Sequence, residues 1–116
     1  MNAPASVRRE TWLWLLQRAT AAVLAFAVVV HLVTMIGAVR GGLSAAEILA
    51  RTRGSGAWLA FYAVFVLAVA IHAPIGLRAV LAELARGHRR CIDLACLAFG
   101  VVLLVVGMRA VMAVTR

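Results

Sequence analysis

The chain has 116 residues, 66% of them hydrophobic, and a formal charge of +8 that comes from arginine alone, since it contains no lysine. A soluble domain is about 45–50% apolar, so this composition, with a mean hydropathy of +1.04, excludes an ordinary water-soluble fold and makes lipid the solvent for most of the surface. The positive charge does not point to nucleic acid, because no soluble module is left to carry such a site; the arginines cluster between apolar stretches, which suits membrane topology and contact with lipid headgroups.

Crossing the hydrocarbon layer takes roughly 20 apolar residues in a helix. Stretches at about 12–38, 57–80 and 92–114 qualify. They are helices rather than strands, because an open backbone edge has no partner in lipid and a few strands cannot close a barrel. The expected fold class is therefore all-α. A single domain over residues 1–116 is expected, an integral membrane bundle of three transmembrane helices with a short surface helix between the first two.

A polar, basic tail at residues 2–10 opens the chain. Thr11 is expected to cap the first helix, and Trp12 and Trp14 to sit at the membrane interface. The first span is too long for the apolar core of a signal peptide and lacks a clean small-residue cleavage site, so it reads as a retained helix. The first connection, 39–56, carries Gly41-Gly42 at one end and Gly54-Ser55-Gly56 at the other. Between them Ser44-Ala45-Ala46-Glu47 reads as a capping box that opens a short helix at about 45–51, lying on the membrane surface. The second connection, 82–90, holds Glu83, Arg86, His88, Arg89 and Arg90. Asp93 then falls near the start of the third helix, where a negative charge is favoured. Cys91 and Cys96 match neither a CxxC nor a zinc pattern and receive no function.

The tail with Arg18, Arg78, Arg86, Arg89 and Arg90 belongs to one side of the membrane. Arg40, Arg51, Arg53 and the chain end belong to the other. The richer side is expected to be cytoplasmic, which gives a multi-pass protein of the inner (cytoplasmic) membrane with its N-terminus in the cytoplasm.

Polar groups inside a span are costly and therefore informative. His72, in Ala70-Ile71-His72-Ala73-Pro74-Ile75-Gly76-Leu77-Arg78, is the foremost. Its imidazole suits a metal ligand, a proton relay or a hydrogen bond between helices, and on the residues alone these stay open. Gly76, one turn later on the same face, leaves room for a flat macrocycle. Arg78 lies about 9 Å further along the axis, within reach of an anionic haem propionate. Arg18 reads either as a cation snorkelling to the headgroups or as one that binds a polar ligand headgroup. His31 lies near the outer end of the first helix, differing in depth from His72 by about 15 Å at 1.5 Å per residue, so the two cannot share one iron.

Two segments resemble a known family. Gln17-Arg18-Ala19-Thr20-Ala21-Ala22-Val23-Leu24 is similar to the first-helix segment of the small membrane anchors of succinate dehydrogenase and fumarate reductase. His72-Ala73-Pro74-Ile75-Gly76-Leu77-Arg78, followed by Glu83, is similar to their second-helix segment. The resemblance implies a haem b-binding cytochrome b subunit. It carries electrons between the iron–sulfur clusters of a partner and membrane quinone, and is not itself a complete enzyme. It implies as partners a flavoprotein subunit, an iron–sulfur subunit and a second small membrane anchor, or a second copy of this chain. On this basis His72 is an axial ligand of haem (heme b), with Gly76 beside it. Arg18 and Arg78 meet haem propionates or the quinone, and His31 ligates a second, outer haem if two are present. Trp14 stands where one anchor type has Ser, and Leu84 where the other has a quinone-facing Tyr. The quinone pocket is accordingly expected on partner subunits or elsewhere in the bundle. The competing expectation is a non-redox three-helix scaffold or transport-accessory subunit, with His72 as an interhelical bond.

Overall fold

The computed structural model describes residues 4–116. Its four helices are α1 (Ala5–Arg40), α2 (Ala45–Thr52), α3 (Gly56–Leu84) and α4 (Arg89–Thr115). By length and composition α1, α3 and α4 are each able to cross a membrane. This is the all-α, three-span layout with a short helix between the first two spans that the sequence leads one to expect. The bundle measures 56 × 27 × 23 Å. Its middle member is α3, which packs on α1 along one side and on α4 along the other.

The burial pattern is that of a protein dissolved in lipid. Ala27, Ala68, Ile92, Cys96 and Val111 are buried, whereas Phe26, Val33, Leu97 and Val106 are among the many large apolar side chains that face outward. With lipid as apolar as leucine, helices in a membrane associate through close packing and polar contacts. Two glycines on one face of α4 supply the close packing. A Cβ at Gly107 would sit 2.6 Å from Val66 Cγ1, and one at Gly100 would sit 3.0 Å from Pro74 Cγ and 3.1 Å from the Ala70 carbonyl oxygen. Pro74 has no N–H, so the Ala70 carbonyl loses its helical partner. That oxygen lies against the α4 backbone at Gly100, where a side chain would not fit.

The connections hold more than their sequence suggests. Ser44 and Glu47 form the expected capping box: the Ser44 N–H donates to Glu47 Oε2 at 2.7 Å, and the Glu47 N–H donates to Ser44 Oγ at 3.3 Å. The Ser44 N–H, together with the Ser44 hydroxyl that donates to the same oxygen at 2.8 Å, holds the Glu47 carboxyl below the usual carboxylate range. The far end of α2 does not lie loose on the surface. Thr52 Oγ1 donates to the Val114 carbonyl at 2.6 Å, and the Gly54 N–H donates to the Thr115 carbonyl at 2.9 Å. Two of the carbonyls that the end of α4 leaves unpaired are thereby satisfied from the first connection.

Two sequence expectations change at the other end of the bundle. The first helix begins at Ala5, after Pro4, so Thr11 is no cap; its hydroxyl donates to the Val7 carbonyl one turn back. Nothing between Pro4 and the apolar run breaks a helix, so most of the polar tail is helical, and its residues 2 and 3 lie outside the described residues. The third span begins early too, at Arg89, which puts Asp93 beyond the first turn of α4. Its charge is met by side chains instead of the helix end. Arg78 Nε donates to Asp93 Oδ1 at 2.7 Å, Arg9 Nη2 donates to Asp93 Oδ2 at 2.8 Å, and Arg78 Nη2 donates to Glu10 Oε1 at 3.1 Å. Two cations and two anions thus tie α1, α3 and α4 together at one level.

Candidate cofactor site between α1 and α3

The antiparallel packing of α1 on α3 brings the polar residues of the spans face to face. Gln17 lies opposite Gly76, Thr20 opposite His72, and His31 opposite Tyr62 and Phe65. Thr20 and His31 are eleven residues apart within α1, or about 16 Å along a helix at 1.5 Å per residue. The two imidazoles therefore occupy different depths, as their sequence positions indicate.

His72 is half-buried, and its Nδ1 lies 3.2 Å from Thr20 Oγ1. Thr20 is buried and its hydroxyl also lies 2.6 Å from the Leu16 carbonyl. A hydroxyl has one proton to give. The shorter contact, to an oxygen that can only accept, takes it. With the proton so placed, the Thr20 oxygen turns a lone pair toward His72 Nδ1, an arrangement that suits a hydrogen on Nδ1. The other ring nitrogen, Nε2, has no hydrogen-bond partner among the described residues and is not sealed inside the chain. A neutral imidazole with one nitrogen protonated and held, and the other free, is the form that binds a metal.

Beside His72 the groove is shaped by Gly76. A Cβ there would meet Gln17 Nε2 at 3.1 Å, so the room left by the missing side chain is entered by the Gln17 amide. The amide oxygen of Gln17 is buried without a partner. A cavity of about 210 Å³ follows the same groove, lined among others by Trp14, Gln17, Gly76 and Arg78. The two arginines expected here are placed differently. Arg78 has Nε and Nη2 engaged by Asp93 and Glu10. Arg18 is exposed, makes no ion pair among the described residues, and lies with its guanidinium 5.1 Å from the centre of the Trp14 ring.

His31 has other surroundings. Its ring meets Tyr62 edge-on at 5.9 Å and Phe65 at 6.2 Å. Its Nδ1 is buried and has no hydrogen-bond partner among the described residues. It lacks the orienting acceptor that Thr20 gives His72. Among the described residues no three His, Cys, Asp or Glu side chains gather as a metal cluster.

Sequence reasoning passed over Thr20 and Gln17 as site residues. Both lie in the segment read around Arg18, and a depth count from the two helix ends pairs Thr20 with His72. It also read Arg78 without its partners, since Asp93 and Glu10 reach it only through the packing of three helices.

Three apolar spans, tied by close glycine packing and one ion network, with a histidine and a glutamine amide in the groove between two of them, define a multi-pass helical membrane protein. The family of the succinate dehydrogenase/fumarate reductase transmembrane subunit matches over residues 4–112, and the chain belongs to it. No curated protein and no solved structure matches the chain.

Proposed function

We propose that this chain is the haem b-binding anchor of a succinate dehydrogenase/fumarate reductase complex, in which electrons pass between iron–sulfur clusters of a partner subunit and membrane quinone. The observation that carries the reading is His72: an imidazole within a span, fixed through Nδ1, with Nε2 unpaired and reachable. A bound haem would supply a one-electron relay between the clusters and the quinone. The chain's own residues hold and orient it. His72 would supply a nitrogen to the iron, and Gly76, which carries no side chain, would flank it once the Gln17 amide that enters the same room is displaced. Arg18, which makes no ion pair among the described residues, would offer its guanidinium to an anionic propionate or quinone oxygen through a charge-assisted bond. Arg78 has Nε and one N–H of Nη2 engaged by carboxylates, which leaves the two N–H groups of Nη1 and one of Nη2 to offer. Because His72 is only half-buried in this chain, a further ligand to the iron would come from another small anchor or a second copy. The N-terminus is assigned to the cytoplasm on the arginine balance.

The test is recovery of the complex. Tagged chain taken from gently solubilised membranes is expected to bring down a flavin-bearing and an iron–sulfur subunit, with a b-type signal in the reduced-minus-oxidised spectrum. Repeated recovery of neither subunit, from membranes that contain both, ends the reading.

His31 enters as the ligand of a second, outer haem in a two-haem complex. Haem counted per flavin settles it. If His31 is a ligand, His31→Ala lowers the count by one while the inner haem stays. An unchanged count assigns His31 to its aromatic packing with Tyr62 and Phe65.

A further inference from the structure

We infer that Thr20 is a positioning residue that sets the tautomer of His72 and thereby makes its Nε2 a ligand. The inference deepens the haem reading and rests on it for its consequence, whereas the tautomer is a property of the chain alone. An isolated neutral imidazole in water prefers its hydrogen on Nε2. Left to that preference, His72 would present an N–H where iron needs a lone pair. Thr20 reverses it. Its hydroxyl proton is directed to the Leu16 carbonyl at 2.6 Å, within its own helix. A longer contact, 3.2 Å, runs to the Gln17 carbonyl. Both partners are acceptors only, so the side of the hydroxyl that meets His72 presents oxygen lone pairs at 3.2 Å.

The geometry is built to stay that way. Thr20 is buried, only 8% exposed, so water does not compete for either bond. In a helix threonine divides between two rotamers according to which backbone carbonyl its hydroxyl meets, and the short bond to Leu16 selects the one present. The relay therefore runs from the ring, through one hydroxyl, to a backbone carbonyl of the neighbouring helix. The titratable and charged groups of the adjoining turns do not intrude on it: Arg18 turns toward Trp14, and Arg78 toward Asp93 and Glu10. Residues that hold the second nitrogen of a ligating histidine fix its orientation, and their loss costs about 10–100-fold in metal affinity or activity.

The experiment uses the full chain in lipid nanodiscs with ¹³C,¹⁵N-labelled histidine, His72 being identified by the resonances lost in His72→Ala. Nitrogen and ring-carbon shifts distinguish the two tautomers. The expected result is hydrogen on Nδ1 in the wild type and in Thr20→Ser, and a shift to Nε2 in Thr20→Val, which keeps the shape and removes the hydroxyl. Hydrogen on Nε2 in the wild type, or no change in Thr20→Val, overturns the inference. The second readout is haem retention by the assembled complex. Thr20→Val is expected to weaken it by about 10-fold or more and Thr20→Ser to restore it. Retention in Thr20→Val equal to wild type also overturns the positioning role. A complex whose b-type spectrum survives His72→Ala refutes the haem reading instead, and leaves the tautomer result to be judged on the resonances.

Discussion

His72→Ala is expected to remove the b-type absorbance associated with this chain while leaving the three-span bundle assembled. The imidazole is the one intramembrane nitrogen that combines a fixed ring with a free lone pair, since Nδ1 is held by Thr20 and Nε2 has no partner among the described residues. No replacement stands nearby. His31 is about 16 Å away in depth by the helical rise, packed against Tyr62 and Phe65. The described residues contain no His, Cys, Asp and Glu cluster that would take over the iron. Alanine also suits the interior of a helix, and the lost contact is one hydrogen bond to Thr20. The effect should thus fall on the haem and not on the fold. The measurement is the reduced-minus-oxidised spectrum of the purified complex, with the amount of chain matched to wild type. A spectrum and potential identical to wild type would show that the iron is bound elsewhere.

Gly107→Leu is expected to break the packing of α4 on α3, with a loss of stability of about 1–3 kcal/mol or more, the usual cost of overfilling a close contact. The first added carbon would already lie 2.6 Å from Val66 Cγ1 and 3.0 Å from Cγ2. Valine has one strongly preferred rotamer in a helix, so it does not turn aside easily. Gly37→Leu is the matched control: a Cβ there meets nothing within 4 Å, and leucine is the better helix former by less than about 1 kcal/mol. Thermal unfolding in a mild detergent, followed by circular dichroism, should separate the two. Equal midpoints for both variants would mean that the glycine contact does not hold the helices together.

Much of the architecture was legible in the sequence because lipid imposes simple requirements. Three long apolar stretches must be helices, and Ser44 followed by Glu47 must open a fourth. The reading erred where side chains act across helices. Thr11 has the chemistry of a cap, but the helix has already begun at Ala5, directly after Pro4. A linear sequence offers Asp93 no partner but a helix end; Arg78 and Arg9 reach it only after folding. The candidate site was legible to the extent that a histidine in a span stands out by its cost. Thr20 was not, because a threonine hydroxyl satisfies itself on its own helix and raises no such alarm. Its role appears only when the facing helix is set in register.

The ion network at the Arg78 end is divided evenly between two parts of the chain. Arg78 and Asp93 lie on the two arms of the α3–α4 hairpin, fifteen residues apart and joined by a short turn through Gly87, so this pair closes the hairpin by itself. Arg9 and Glu10 are neighbours on α1 and reach across to Asp93 and Arg78 respectively. The first helix thus meets the hairpin with one cation and one anion, each set against its opposite, and its docking adds no net charge to the network.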